Sequence, residues 1–141
     1  MKTFKTAHHA IVDGVSQVQL FLRSYKEARA KLNVVEELLL NHFGRQDEKF
    51  FNDLMGFYQS DRQRLKMLEF LSVDLKDIKI QYLTFCDRYW GEWSDIKMRN
   101  FPKDFTDFTA LILQRVRIEE EYLFPLLENC KAKQRIRYDD N

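Results

Sequence analysis

Apolar residues recur along most of the chain at alternating steps of three and four positions, the spacing that places side chains on one face of an α-helix. Four such stripes run over residues 4–25, 28–57, 68–89 and 105–126, and no alternation of period two is long enough to compete with them. Long helices joined by short turns pack beside their neighbours in opposite directions. The pattern therefore predicts an all-α fold, an antiparallel up-down four-helix bundle.

Capping sequences indicate where two of the predicted helices begin. A serine or asparagine followed three residues later by glutamate or glutamine can form a capping box, which satisfies free N–H groups at a helix start. The second helix then begins near residue 25 or near residue 34, and the third near residue 61. The pairs are Ser24 with Glu27, or Asn33 with Glu36, for the second helix and Ser60 with Gln63 for the third.

Glycine and proline predict other boundaries. Gly91 ends the third helix, and segment 91–101 is the longest predicted loop. Pro102 then lies in the first turn of the fourth helix, where its missing N–H has no partner to lose. Pro125 lies inside that helix, removes a backbone hydrogen bond and predicts a kink.

Length and composition limit the domain organisation and the partners. We expect one domain at residues 1–130, large enough to bury a core, followed by a charged tail at 131–141. The 23 basic and 22 acidic residues nearly cancel, which argues against nucleic acid or a membrane surface as a partner. The chain starts without an apolar signal segment and has no stretch apolar enough to span a bilayer, so we expect a cytoplasmic protein.

Five polar or charged residues occupy stripe positions where an apolar side chain would be expected. Antiparallel neighbours are level where they are equally far from the turn between them, and this places His8 beside His42 if the second helix starts near Ser24. The same comparison across the next two turns brings Leu75 and Arg115 to that level. The sequence therefore predicts a polar layer in the core. Its members are His8, His42, Gln46, Arg115 and Glu119.

Three local strings resemble the metal-binding motifs of hemerythrin-like domains. Residues 8–11 read HHAI, similar to the family's opening His-x-x-Ile, and residues 40–47 read LNHFGRQD, similar to its second-helix motif. Residues 115–127 read RVRIEEEYLFPLL, which is similar to its closing string. The resemblance covers about residues 4–128, and it implies a hemerythrin-like bundle with a di-iron site in its core.

The ligand positions that this resemblance implies are only partly kept. Gln46 replaces a bridging acid, while Leu75 and Arg115 replace histidines. Gln46 cannot neutralise metal charge, and Arg115 adds a permanent positive charge where cations would bind. The sequence therefore predicts a degenerate metal site without the usual di-iron centre.

A fainter resemblance is to the regulator-of-sigma-D (AlgQ) family, helical proteins that bind a sigma factor. It is carried by His42-Phe43 and by Arg115 followed four residues later by Glu119-Glu120. That family has arginine at the position aligned with Arg115, but its tryptophan-bearing first helix is not matched here. The resemblance implies a protein partner.

Two hypotheses follow for the polar layer. In the first, Arg115 and Glu119 form a buried ion pair that His42 and Gln46 complete, and the protein is a non-enzymatic regulatory or protein-interaction module without a cofactor. In the second, His8, His42 and Glu119 hold one Fe(II), Mn(II) or Zn(II) ion, and the protein is an iron-dependent oxygen or redox sensor. Loss of stability on treatment with a chelator would favour the second hypothesis.

Four residues outside the layer also bear on function. Trp90 and Trp93 flank the end of the third helix and, if exposed, would form a partner-binding patch. Cys86 and Cys130 lack a neighbouring His–acid arrangement, so we expect no nucleophilic catalysis and no enzyme. We expect the partner to be another protein, and the sequence leaves the oligomeric state open.

Overall fold

The computed structural model describes the backbone of residues 4–137 and the side chains of residues 4–132. Within this part of the chain all the regular structure is helical, which confirms the predicted all-α class. A π-helical segment, Glu119–Leu123, joins α5 to α6 without a break. The helices are α1 Phe4–Gln19, α2 Tyr25–Gly44, α3 Glu48–Phe57, α4 Arg62–Arg88, α5 Asp95–Ile118 and α6 Phe124–Arg137.

The second predicted helix is in fact two helices, α2 and α3. Asp47 is the N-cap of α3, and its carboxylate accepts a 2.8 Å hydrogen bond from the Phe50 backbone N–H. Asp47 therefore favours a new helix start, and Gly44 before it is a poor helix former. The prediction of one continuous helix to residue 57 was wrong for this reason.

Carboxylates and hydroxyls define the other helix starts. Ser24, one of the two predicted starts of the second helix, occupies the N-cap position of α2, but its side chain makes no capping hydrogen bond and the predicted capping box is not formed. The cap of α4 is Asp61, whose side chain accepts from the Arg64 N–H at 3.1 Å, so the prediction of Ser60 was wrong by one residue. Asp is at least as good an N-cap as Ser, and its charge also interacts well with the helix dipole.

The connection between α4 and α5 is shorter than predicted. Gly91 lies in it with a φ of 74°, a left-handed conformation that favours glycine. Ser94 caps α5 by accepting from the Lys97 N–H at 3.3 Å, so the helix begins at Asp95. Pro102 consequently lies inside α5 rather than in its first turn.

A single apolar core lies between the helices. α1 packs against α2 and α5, α4 packs against α2 and α5, and α3 packs against α4 and α6. Aromatic side chains fill one end of this core, where the rings of Phe85 and Phe108 stack with centroids 4.2 Å apart. Trp93 belongs to this aromatic cluster, since its ring lies 4.6 Å from that of Phe101.

Pro125 lies two residues past the end of the π-helical segment, at the second position of α6. The Phe124 N–H bonds the Glu119 carbonyl, five residues back, and the helix then continues through Arg137. The helix is therefore irregular just before the proline, where it contains a wider π turn. This is the place where the sequence predicts a kink. Residues 131–137 of the predicted tail are helical in their backbone, and the rest of that tail lies outside the described residues.

None of the helices in the described part of the chain combines the length and the apolar character needed to cross a bilayer.

Candidate functional site

The structure brings the five residues of the predicted polar layer into one buried cluster. Each has an exposed fraction of 2% or less. α1, α2, α5 and the π-helical segment each contribute, while Gln46 comes from the connection between α2 and α3 and not from the face of a helix. The members are His8, His42, Gln46, Arg115 and Glu119.

One carboxylate oxygen of Glu119 lies within hydrogen-bond distance of both imidazoles. Oε1 lies 2.7 Å from His8 Nε2 and 2.7 Å from His42 Nε2. The two Nε2 atoms lie 3.1 Å from each other. Oε1 and the two Nε2 atoms therefore lie close together, and in their unprotonated forms all three would direct lone pairs at one another.

The other oxygen of Glu119 is bound by Arg115 and Gln46. Oε2 accepts from Arg115 Nε at 2.8 Å and from Gln46 Nε2 at 3.0 Å. The two residues also bond each other, because an Arg115 terminal nitrogen donates to Gln46 Oε1 at 3.1 Å. The carboxylate thus has an imidazole side at Oε1 and a guanidinium side at Oε2.

The remaining Arg115 donors reach α4. One terminal nitrogen donates to the Leu71 carbonyl and to Asp74 Oδ2, both at 3.0 Å. Asp74 is about one quarter exposed, so it joins the buried guanidinium to the surface. Sequence reasoning missed Asp74, although it directly precedes Leu75, the residue predicted to be level with Arg115.

Aromatic rings hold the two imidazoles in place. The His8 ring stacks on Phe124 with centroids 4.7 Å apart, and the His42 ring meets Phe4 edge-on at 5.3 Å. The Nδ1 atoms of both imidazoles are buried without a hydrogen-bond partner among the described residues. Packing rather than hydrogen bonding at Nδ1 therefore orients the rings.

The carboxylate of Glu119 remains ionised despite its burial. Burial alone would raise its pKa, but hydrogen bonds from His42 and His8 and the positive charge of Arg115 outweigh that effect. The net result is a pKa well below the usual value of 4.5. The cluster therefore holds a fixed negative charge beside a fixed positive one.

The imidazole side of the cluster requires either N–H hydrogens or a cation between its three atoms, because their lone pairs would otherwise repel one another. One solution is a proton on each Nε2, donated to Oε1; the other is a single metal ion bound by all three atoms. Atoms about 2.1 Å from an ion in octahedral geometry lie about 3.0 Å apart. The separations of 2.7, 2.7 and 3.1 Å are close to that spacing.

A di-iron centre does not fit these residues. Leu75 is buried and offers no ligand atom. The Arg115 guanidinium occupies the other side of the carboxylate, and Oε2 is already bound by two donors. His8, His42 and Glu119 can hold one ion, because their ligand atoms converge on one side of the carboxylate and the guanidinium lies on the other.

A surface pocket lies next to the cluster. Lys5, His9 and Glu120 line it, together with Phe124 and Pro125. Phe124 also stacks on His8, so this residue is shared by the pocket and the surroundings of the cluster.

Only one of the two tryptophans meets the condition of exposure on which the partner-binding patch depends. Trp90 is 78% exposed, but Trp93 is 6% exposed and donates from Nε1 to the Tyr89 carbonyl at 2.9 Å. Trp93 is drawn into the core because its ring packs on Phe101 and Tyr25. Trp90 alone remains a surface candidate.

The cysteines give no sign of a nucleophile. Cys86 and Cys130 are both free thiols. Burial, with the nearby charge and hydrogen bond of Glu36, raises the pKa of the Cys86 thiol to about 12. At neutral pH Cys86 is therefore a thiol, and the thiolate is the reactive form.

Comparison with known proteins gives no match to a family model, to a curated protein or to a solved structure.

Proposed function

We propose that this protein is a non-enzymatic regulatory or protein-interaction module, and that its core binds one divalent transition-metal ion through His8, His42 and Glu119. The observation that carries the proposal is the division of the Glu119 carboxylate. Arg115 bonds Oε2, while Oε1 stays with the two imidazoles. The Arg115 guanidinium therefore compensates the charge of Glu119 without occupying Oε1 or the two imidazole Nε2 atoms, which are the atoms that would bind the metal.

We further propose that the fold is an antiparallel four-helix bundle of the hemerythrin-like type. In support, α1, α2, α4 and α5 form a ring in which each packs against the next and α5 returns to α1. The connections at residues 20–24 and 89–94 are short, which favours opposite directions for the helices that they join.

The donor set favours particular ions. Two imidazoles and one carboxylate suit Fe(II), Mn(II) and Zn(II), and the known use of this set with open positions is with Fe(II).

The charge balance of the site depends on residues beyond the three ligands. Because Arg115 compensates the charge of Glu119, a bound ion would keep most of its positive charge in a buried site. Asp74, bonded to Arg115 at 3.0 Å, supplies a further negative charge nearby.

The test is the metal content of protein purified without a chelator or an affinity metal. It is measured again after anaerobic incubation with Fe(II), and the melting temperature is recorded with and without chelator. We expect one ion per chain and a higher melting temperature in its presence. His42→Ala should abolish both effects.

His9→Ala is the matched control, because His9 is the exposed neighbour of His8. It should leave both effects intact. Absence of bound metal before and after reconstitution would refute the metal site, as would equal loss in the two histidine variants.

The second candidate is the same module without metal. It is favoured by the 2.7 Å distances from Glu119 Oε1 to His8 Nε2 and to His42 Nε2, which are ordinary hydrogen-bond lengths. In that case the Nε2 protons fill the imidazole side, and a chelator has no effect on stability.

A further inference from the structure

The longest helix, α4, has two apolar faces. One faces the core and includes Leu71, Leu75 and Tyr82. The opposite face, here called the outer face of α4, carries four large apolar side chains in water. Their exposed fractions are 55% for Phe70, 65% for Val73, 64% for Ile80 and 56% for Leu83. A helix that is apolar on both sides is typical of one that is covered on both sides.

The four apolar residues are placed symmetrically along the helix. Phe70 and Leu83 are equally far from the midpoint between residues 76 and 77, and so are Val73 and Ile80. If two copies of α4 packed in opposite directions about a twofold axis at that point, Phe70 of one copy would face Leu83 of the other. Val73 would face Ile80 in the same way. A surface that pairs with itself under a twofold axis is what a symmetric dimer requires.

Two pairs of charged residues on the outer face follow the same symmetry with opposite signs, whereas Glu69 has Thr84 at its symmetry-related position. Lys76 and Asp77 flank the midpoint, and Lys66 and Asp87 are equally far from it; all four are exposed. Antiparallel pairing therefore places each lysine opposite an aspartate of the other copy. Parallel pairing in register would place Lys76 opposite Lys76 and Asp77 opposite Asp77, which is repulsive.

We propose that a second copy of this chain covers the outer face of α4, in an antiparallel symmetric dimer centred between Lys76 and Asp77. One helix face is a small interface, so the dimer is weak and reversible, with a dissociation constant of roughly 1–100 μM. The outer face lies opposite the core, and the dimer does not depend on whether the cluster binds metal.

Sedimentation velocity on the full chain, from about 1 to about 300 μM, tests the proposal. The wild type should pass from monomer to dimer within this range. Val73→Ser with Ile80→Ser should weaken the dimer at least about tenfold, because apolar area is lost in both copies. A monomer at all concentrations would overturn the proposal.

Charge exchange at the midpoint tests the antiparallel register. Lys76→Asp places an aspartate opposite Asp77 of the other copy twice, and should shift the protein to monomer. Adding Asp77→Lys to the same chain restores opposite charges and should restore the dimer. A double variant that remains monomeric would contradict this register, and circular dichroism checks that each variant is folded.

Leu40→Ser is the matched control for the apolar changes. Leu40 is 59% exposed, similar to the outer-face residues, but lies on α2. It should leave the dimer unchanged. If Leu40→Ser weakened association as much as the α4 variants, the association would be a nonspecific property of exposed apolar residues and the proposed interface would be wrong.

Discussion

Arg115 Nε lies 2.8 Å from Glu119 Oε2, one helical turn further along the chain, and both side chains are 0% exposed. Ionised groups are costly to remove from water unless they are paired and hydrogen-bonded. Here the pair is completed by Gln46 and the Leu71 carbonyl. The ion pair and its hydrogen-bond partners therefore act as one unit. Removal of either Arg115 or Glu119 leaves the charge of the other uncompensated.

Arg115→Leu tests this unit. The change leaves the ionised Glu119 buried without its guanidinium, and we expect the free energy of unfolding to fall by about 3–5 kcal/mol. Urea unfolding followed by circular dichroism measures the loss. Adding Glu119→Leu to the same chain should cost less than the sum of the single changes, because the two residues are directly coupled.

Lys103→Leu is the control for Arg115→Leu. Lys103 and Asp107 have the same four-residue spacing and a 2.9 Å ion pair, but both side chains are exposed. Solvent screens such a pair, so we expect no measurable change in stability. If Arg115→Leu were as mild as Lys103→Leu, the buried unit would not be a stabilising one.

Acid should destabilise the fold through Glu119. Its pKa is lower in the folded state than the usual 4.5, because hydrogen bonds from His42 and His8 and the charge of Arg115 outweigh its burial. The stability that this group contributes is therefore fully present above its unfolded-state pKa and is lost as the pH falls below that value. Urea unfolding between about pH 5 and about pH 3 should show this decline.

In Glu119→Gln the decline over the same pH range should be shallower, since a carboxamide does not titrate. Glu120→Gln, at the exposed neighbouring position, should keep the wild-type slope. Equal slopes in the two variants would assign the acid sensitivity to other carboxyl groups.

Two glycines form a matched pair for backbone effects. A Cβ added at Gly56 or at Gly91 would meet no atom within 4 Å, but only Gly91 has a positive φ, of 74°. Gly56→Ala should stabilise α3 by about 0.5–1 kcal/mol, since alanine favours the helix. Gly91→Ala should destabilise by about 1–2 kcal/mol through left-handed strain. Thermal unfolding measures both changes, and shifts of the same sign would contradict this argument.

The native Cys86 thiol should react slowly. With its pKa raised to about 12 by burial and by Glu36, the thiolate fraction is small at pH values where ordinary thiols react. A Cys130→Ser variant isolates Cys86, and its reaction with an aromatic disulfide reagent near pH 8 is compared with that in urea. A native rate equal to the rate in urea would show that Cys86 is accessible and not shielded.

The polar layer could be predicted from sequence because helical periodicity fixes which residues share a face. His8, His42, Arg115 and Glu119 all interrupt apolar stripes, and the structure places all four in one cluster. Gln46 was predicted on the same argument, yet it lies beyond the end of α2. It still reaches the cluster because the backbone keeps winding past the end of the helix, with the Arg45 N–H bonded to the Asn41 carbonyl and the Gln46 N–H to the Phe43 carbonyl.

Other features depend on packing and on competition between neighbouring residues. Asp61 rather than Ser60 caps α4, and periodicity cannot decide between adjacent capping residues. Trp93 enters the core while Trp90 stays exposed, because Phe101 and Tyr25 offer a surface only to Trp93. The bond from Arg115 to Asp74 crosses between α5 and α4, so no local pattern in the sequence marks it.

The anchoring of Arg115 to α4 has a consequence for how the chain selects one fold among compact alternatives. A slide of α5 along α4 by one turn, about 5.4 Å, would still place apolar side chains opposite one another, although it would separate the stacked rings of Phe85 and Phe108. It would also withdraw the guanidinium from the Leu71 carbonyl and Asp74, leaving a cation in apolar surroundings. The arginine therefore penalises this shift in addition to the loss of apolar contacts, because its partners on α4 are in reach only in the observed alignment.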